Sequence, residues 1–302
     1  MADPSLYLLA LIPAVLWGFT PILSKRGMAG GGSSLQASLT VVIVDTTLYA
    51  LALLVIQGTS LFADLTLGSF ALFFAAGIVG TALGRLAVFT GVDRVGASIN
   101  SAAISTRPLF ATGLAVVVLG EGVGLATAVG ILVLVVGLSS LTLSQGGDLA
   151  GWTASDLLYP LAAAMMFATG NVARRWGLLT FPDVTLLEAV AVNEIGGLAA
   201  LVAYAVYAGR SDVIRAPRRT YLYFTGSGSI TAVALLSLFA ALQAGRVAIV
   251  DPLAATAPLF TLVFAVIFLR DLERVTKGVV VGASLVVLGI VIITAPVGLL
   301  LP

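Results

Sequence analysis

Long apolar runs, separated by short polar or glycine-rich connections, fill the chain from end to end. A helix needs about 20 mostly apolar residues to cross a bilayer. Ten runs approach or exceed that length: 5–24, 36–57, 67–91, 96–119, 125–144, 155–174, 184–208, 220–244, 247–269 and 277–297. The longest connection, Ala208 to Thr220, is too short for a separate soluble domain. Stretches such as Ile131–Leu138 and Val279–Ile293 lack the alternation of a lipid-facing barrel strand, so they predict helices. No Lys or Arg precedes the first run, and Pro13 and Pro21 lie inside it. It is therefore expected to be a span and not a cleaved leader.

The two halves match in order. At an offset of 149, Thr20 falls on Thr169, Lys25-Arg26 on Arg174-Arg175 and Asp45 on Glu194. At 150, Thr106-Arg-Pro-Leu-Phe110 falls on Thr256-Ala-Pro-Leu-Phe260. At 152, Glu121, Gly130, Gly137 and Thr142 fall on Glu273, Gly282, Gly289 and Thr294. Five spans per copy is an odd number, so the second copy enters the bilayer from the opposite side, as in many secondary transporters. The expected fold is an all-α integral membrane protein. Its ten transmembrane helices form two inverted five-helix repeats, 1–146 and 147–302, around a central cavity.

These features resemble the EamA-type members of the drug/metabolite transporter superfamily. The resemblance rests on the five-plus-five helices, Trp17-Gly18 in the first span, the central Pro108 and Pro258, and Leu119-Gly120-Glu121 with Gly130 beyond. Among the branches, the chain is most similar to the bacterial YddG-like amino-acid exporters. The resemblance implies a multi-pass protein of the bacterial inner membrane that exports amino acids or similar metabolites. Its cavity would be lined by helices one, three, four, six, eight and nine.

Charge within a span is costly and marks a candidate for function. Arg85 and Arg107 are the arginines expected well inside spans, and either could grip a carboxylate with both arms. Arg85 shares a helix face with Phe89, and Arg107 shares one with Asn100. The structural alternative is an ion pair, for instance Arg85 with Asp45 or Glu194. Asp45, Glu188 and Glu194 are candidates for carrying protons or for structural pairing, and buried charges more often pair. Asp156 lies at a span boundary. Asp251, just before Pro252, is expected to cap a helix start. Trp17, Thr20, Phe167 and Asn171 are further cavity candidates, with Phe239 and Gln243 on one face of the eighth span. Pro108 and Pro258 are expected to kink their helices and loosen the turns near Ile104 and Ala254. Gly80 and Gly84, and the pairs Gly130/Gly137 and Gly282/Gly289, suit close helix packing.

Composition narrows the chemistry further. The chain is 60% hydrophobic and 10% charged, against roughly 45–50% and about 25% in soluble domains. Its net charge of +1 gives no general pull on nucleic acid. It has 0 His and 0 Cys, which excludes Ser/His and His-Glu-x-x-His enzymes, thiol nucleophiles and Cys/His metal sites. A Walker motif is absent, and the two lysines, Lys25 and Lys277, sit at span ends, unsuited to a retinal Schiff base. No cofactor, metal or catalytic step is expected. The partners are a small-molecule substrate and the lipid bilayer; the oligomeric state is open, and a monomer suffices. Lipophilic-cation efflux is the competing transport function, although the first span lacks the carboxylate it would use.

Sidedness receives two opposed answers. Arg174, Arg175 and Arg246 fall at the end shared with both termini, against ten Lys and Arg at the other end. The positive-inside rule places the termini outside, whereas the family resemblance places them inside.

Overall fold

The computed structural model describes residues 4–58, 62–144, 151–210, 215–268 and 277–294. Among them the chain is all-helical: α1 (Pro4–Ala29), α2 (Ser34–Gln57), α3 (Leu67–Gly77), α4 (Gly84–Val95), α5 (Ala97–Ile104), α6 (Arg107–Leu119), α7 (Leu125–Leu143), α8 (Leu158–Thr180), α9 (Leu186–Tyr207), α10 (Arg218–Ala244), α11 (Val247–Ala254), α12 (Ala257–Phe268) and α13 (Lys277–Thr294). A π-helical turn, Ile78–Leu83, joins α3 and α4 into one pass. Nine passes among the described residues are long and apolar enough to cross a bilayer. The remaining expected span, the sixth, is α8, which has 23 residues but carries Asn171, Arg174 and Arg175 within them. The sequence placed its end at residue 174, whereas the helix continues to Thr180. Both arginines are therefore inside the helix, not at its end.

The fourth and ninth passes are broken. Proline lacks an N–H, and its ring clashes with the carbonyl four residues back. Those carbonyls belong to Ile104 and Ala254, the last residues of α5 and α11. In each break a threonine closes a tight turn with both its amide and its hydroxyl: the Thr106 hydroxyl donates to Ala103 O at 2.6 Å and the Thr256 hydroxyl to Leu253 O at 2.7 Å.

Short connections make successive passes antiparallel. End A holds the start of α1, the α6–α7 and α10–α11 junctions and the finish of α13. End B holds the α1–α2 junction, the finish of α4 and the start of α8. Helix α1 packs on α10, α8 on α3 and α4, α2 on α9, and α7 on α13. The α7–α13 seam depends on glycine: a Cβ at Gly137 would stand 2.6 Å from the Val286 amide nitrogen, and one at Gly289 would stand 2.7 Å from that of Leu134. Gly80 and Gly84 likewise meet Gly170 and Phe167 of α8. Val55, Val117, Val206 and Tyr207 are highly exposed apolar residues and form part of the surface offered to lipid.

The caps lie at the helix ends. Thr185 and Glu188 form a capping box on α9, and Ser33 with Gln36 does the same for α2. Asp156 accepts from the Thr153 amide at 2.9 Å in the single turn before α8. That bond and the Thr153 hydroxyl hold its carboxyl below the usual range.

Candidate functional site

Two chambers meet in the middle of the bundle. A central one of about 220 Å³ lies among Gly80, Thr81, Arg107, Phe167 and Asn171, residues near the midpoints of their passes. A vestibule of about 580 Å³ runs from Thr20 to Lys25, Ser34 and Asp93 at end B. Trp17, Arg85 and Thr231 line both, so they form the junction. Concave sites with few polar groups on an apolar wall are where small molecules bind.

A hydrogen-bonded network forms one wall of the central chamber. Arg107 Nε donates to Asp251 Oδ2 at 3.2 Å, an ion pair with the aspartate fully buried. Asn171 donates to the other Asp251 oxygen and accepts from Arg174 NH1 at 2.8 Å. The Arg174 guanidinium also donates to Asn193 Oδ1 at 3.0 Å and to Thr81 Oγ1 at 3.1 Å, and it lies 5.5 Å from the Phe239 ring centre. Thr81 and Asn193 pass the chain on by donating to Glu194 Oε1 at 3.0 and 2.9 Å. Two arginines and two carboxylates are thereby tied through neutral amides and a hydroxyl. This offsets much of the cost of burying these charges, although Glu194 Oε2 has no hydrogen-bond partner among the described residues.

Arg85 stands apart. Among the described residues its guanidinium has no hydrogen bond or ion pair, although it faces both chambers. Asp45 is fully buried on α2, with both carboxylate oxygens lacking a hydrogen-bond partner among the described residues.

The sequence-derived candidates separate as follows. Trp17, Arg85, Arg107, Phe167, Asn171 and Glu194 line the central chamber; Thr20 and Phe89 line the vestibule. Asn100 is buried against Gly91, away from both chambers. Phe239 is fully buried beneath Arg174, while Gln243 is exposed and offers its carbonyl to Arg175 at 2.8 Å. Glu188 is committed to the Thr185 amide and hydroxyl at 2.9 and 2.8 Å. Pro108 sits in the first turn of α6, and Pro258 lies at the matching position of α12.

Asp251 is not a helix cap. α11 begins four residues earlier, at Val247, where Glu121 from the end of the fourth pass occupies the Val247 and Ala248 amides at 2.9 and 3.1 Å. Its repeat counterpart, Glu273, lies outside the described residues. Pattern reading also missed Arg174, Thr81 and Asn193. A longer sixth span would have drawn Arg174 inward, since Asn171 and Arg174 are one turn apart. Nothing local singles out Thr81 or Asn193.

The model of the EamA-like transporter family matches the chain twice, over residues 4–143 and 155–295. An uncharacterized transporter from Clostridium kluyveri is 27% identical over 128 residues, which is 42% of this chain and 40% of that protein. The chain thus matches less than half of that relative's length. A crystal structure aligns over 96% of this chain and 98% of its own with a TM-score of 0.79 at 19% identity, a likeness of fold alone. With its family model matched twice and nearly end to end, the chain belongs to the EamA-like transporter family.

Proposed function

We propose that the chain is a secondary transporter of amino acids or similar small carboxylate-bearing metabolites. Residues 1–146 and 147–302 act as inverted halves that rock to alternate access to the central chamber, and the physiological direction is export across a bacterial inner membrane. The observation that carries the substrate class is Arg85. A guanidinium at a chamber junction, with no hydrogen bond or ion pair among the described residues and only a longer-range attraction to Asp45, is suited to a carboxylate, because its planar donors match the two oxygens. The Arg107 charge is already answered by Asp251, so Arg85 is the primary contact, with Trp17 and Thr231 beside it. The reading also gains support from Leu235, which occupies the position 150 residues beyond Arg85. A residue kept only for packing of the repeat would suit both copies; a residue serving cargo need not.

Inversion of the halves is supported by matched packing at opposite ends. Phe73 lies against Gly177 near end A, and Phe224 lies against Gly27 near end B. Phe224 is 151 residues beyond Phe73, and Gly177 is 150 beyond Gly27. Both phenylalanines are fully buried.

The test is flux of labelled amino acids into proteoliposomes, with and without a proton gradient. Arg85→Gln is expected to raise the half-saturating concentration at least about tenfold, the scale of one lost charge-assisted contact. Uptake of quaternary cations with no amino-acid flux would replace this reading with lipophilic-cation efflux. Unchanged amino-acid transport in Arg85→Gln would remove the carboxylate contact.

A further inference from the structure

We propose that Lys25, Thr231 and Asp45 are the open half of a two-position lock whose closed half is Arg174, Thr81 and Glu194. The inference rests on the alternating-access reading above and assigns its two facings to named contacts. In the closed half, Thr81 Oγ1 accepts from Arg174 at 3.1 Å and donates to Glu194 at 3.0 Å, joining α8, the π-helical turn and α9. A shift of 149 residues towards the N-terminus turns Arg174 into Lys25 and Glu194 into Asp45, and a forward shift of 150 turns Thr81 into Thr231. The second set has the same chemistry in the same order: a cation, a hydroxyl able to accept and donate, and a carboxylate.

The second set is also placed on the corresponding packed helices. Lys25 is on α1 and Thr231 on α10, which pack together as α8 packs on α3 and α4. Asp45 is on α2, which packs on α10 as α9 packs on α3. Gly228 of α10 faces Val44 of α2, and Gly77 of α3 faces Asn193 of α9; Val44 and Asn193 are the residues preceding the two carboxylates. Tyr49 Oη donates to Ala232 O at 2.6 Å, fixing α2 on α10 beside Thr231.

The contacts within this second set are unmade. Lys25 and Thr231 line the vestibule, and Asp45 is fully buried with neither oxygen hydrogen-bonded among the described residues, Arg85 acting on it only through the longer-range field. A buried carboxylate without donors is costly. Closing end B would bring the Lys25 ammonium to Thr231 and Thr231 to Asp45, supplying those donors. In the same movement Arg174 would leave Thr81 and Glu194 as end A opens. The lock gives the two facings similar stability, because each state makes one relay and forfeits the other.

The absence of native cysteine makes the test direct. Val41, at the vestibule, and Val190, fully buried near end A, are 149 residues apart. Each is replaced singly by cysteine, and its rate of labelling by a polar methanethiosulfonate is measured in purified, monodisperse full-length protein. Lys25→Met and Asp45→Asn are each expected to slow Val190→Cys labelling about tenfold, the population shift from losing one charge-assisted relay. Labelling of Val41→Cys should stay fast, which also reports an intact fold. The double variant should label no more slowly than either single one, since both break the same relay, and Lys25→Arg should retain the original rate. Arg174→Met should act oppositely, speeding Val190→Cys labelling. Unchanged labelling of Val190→Cys in Lys25→Met, or multiplying effects in the double variant, would overturn the lock. If Val190→Cys never labels in any background, alternating access fails along with it. A labelling shift without amino-acid flux would support the lock and reject only the proposed cargo.

Discussion

An arginine is tolerated inside a membrane protein when its donors are used, and Arg174 gives its own to Asn171, Asn193 and Thr81. The neighbouring Arg107–Asp251 pair is more exposed to test, because its partners lie 144 residues apart and join α6 to α11. Removing one partner from a buried pair leaves an uncompensated charge, at a cost of about 3–5 kcal/mol. Asp251→Leu should therefore lower the melting temperature strongly, and Arg107→Met with Asp251→Leu should recover most of the loss. Scanning fluorimetry in detergent checks this; a double variant no more stable than Asp251→Leu would show that the aspartate is needed for Asn171 instead. Arg85 and Arg107 were legible in the sequence as charged residues inside spans. Their division of labour was not, because partner choice is set by helices far apart in the chain. For the same reason Asp251 reads locally as a cap, while in space it meets Arg107 and Asn171.

Glycine and proline set the elements, and both could be read in advance. Nine passes among the described residues and both breaks at Pro108 and Pro258 follow from apolar length and the missing proline N–H. The π-helical turn at Ile78–Leu83 does not, because its cost is met by tertiary packing of Gly80 and Gly84 on α8. The extent of α8 was also hidden, since Arg174 and Arg175 look like the polar end of a span until their partners are known. At the α7–α13 seam, glycine permits backbone approach, so Gly137→Leu should destabilise by about 1–3 kcal/mol through overpacking. A Cβ added at Gly113 of α6 would meet nothing within 4 Å, and Gly113→Ala should stabilise by about 0.4–1 kcal/mol through reduced freedom of the unfolded chain. Thermal denaturation of the two variants, measured side by side, separates a packing glycine from one that can be replaced.

Across the whole molecule, the corrected place of Arg174 bears on sidedness. With that residue buried in the bundle, Arg175, inside the last two turns of α8, and Arg246 are left near end A from the three basic residues first assigned there, against eight at end B among the described residues. Arg175 is itself engaged with the Leu242 and Gln243 carbonyls at 2.6 and 2.8 Å. The bias that the positive-inside rule counts is therefore steeper than the sequence alone implied, and the rule predicts a cytoplasmic end B. The vestibule with Lys25 and Asp93 would then face the cytoplasm, and cargo would reach Arg85 from within the cell, as export requires. Glu121 on the α11 amides and Arg246 on the Gly122 carbonyl at 3.0 Å hold together the opposite end. The expected outcome is that alkaline phosphatase fused after Pro302 is active and that green fluorescent protein fused there is dark. The reverse pair of signals would restore the orientation implied by the family resemblance and turn the same vestibule outward. Cargo would then meet the vestibule at the release stage of export, with the Glu121 contact closing the cytoplasmic end.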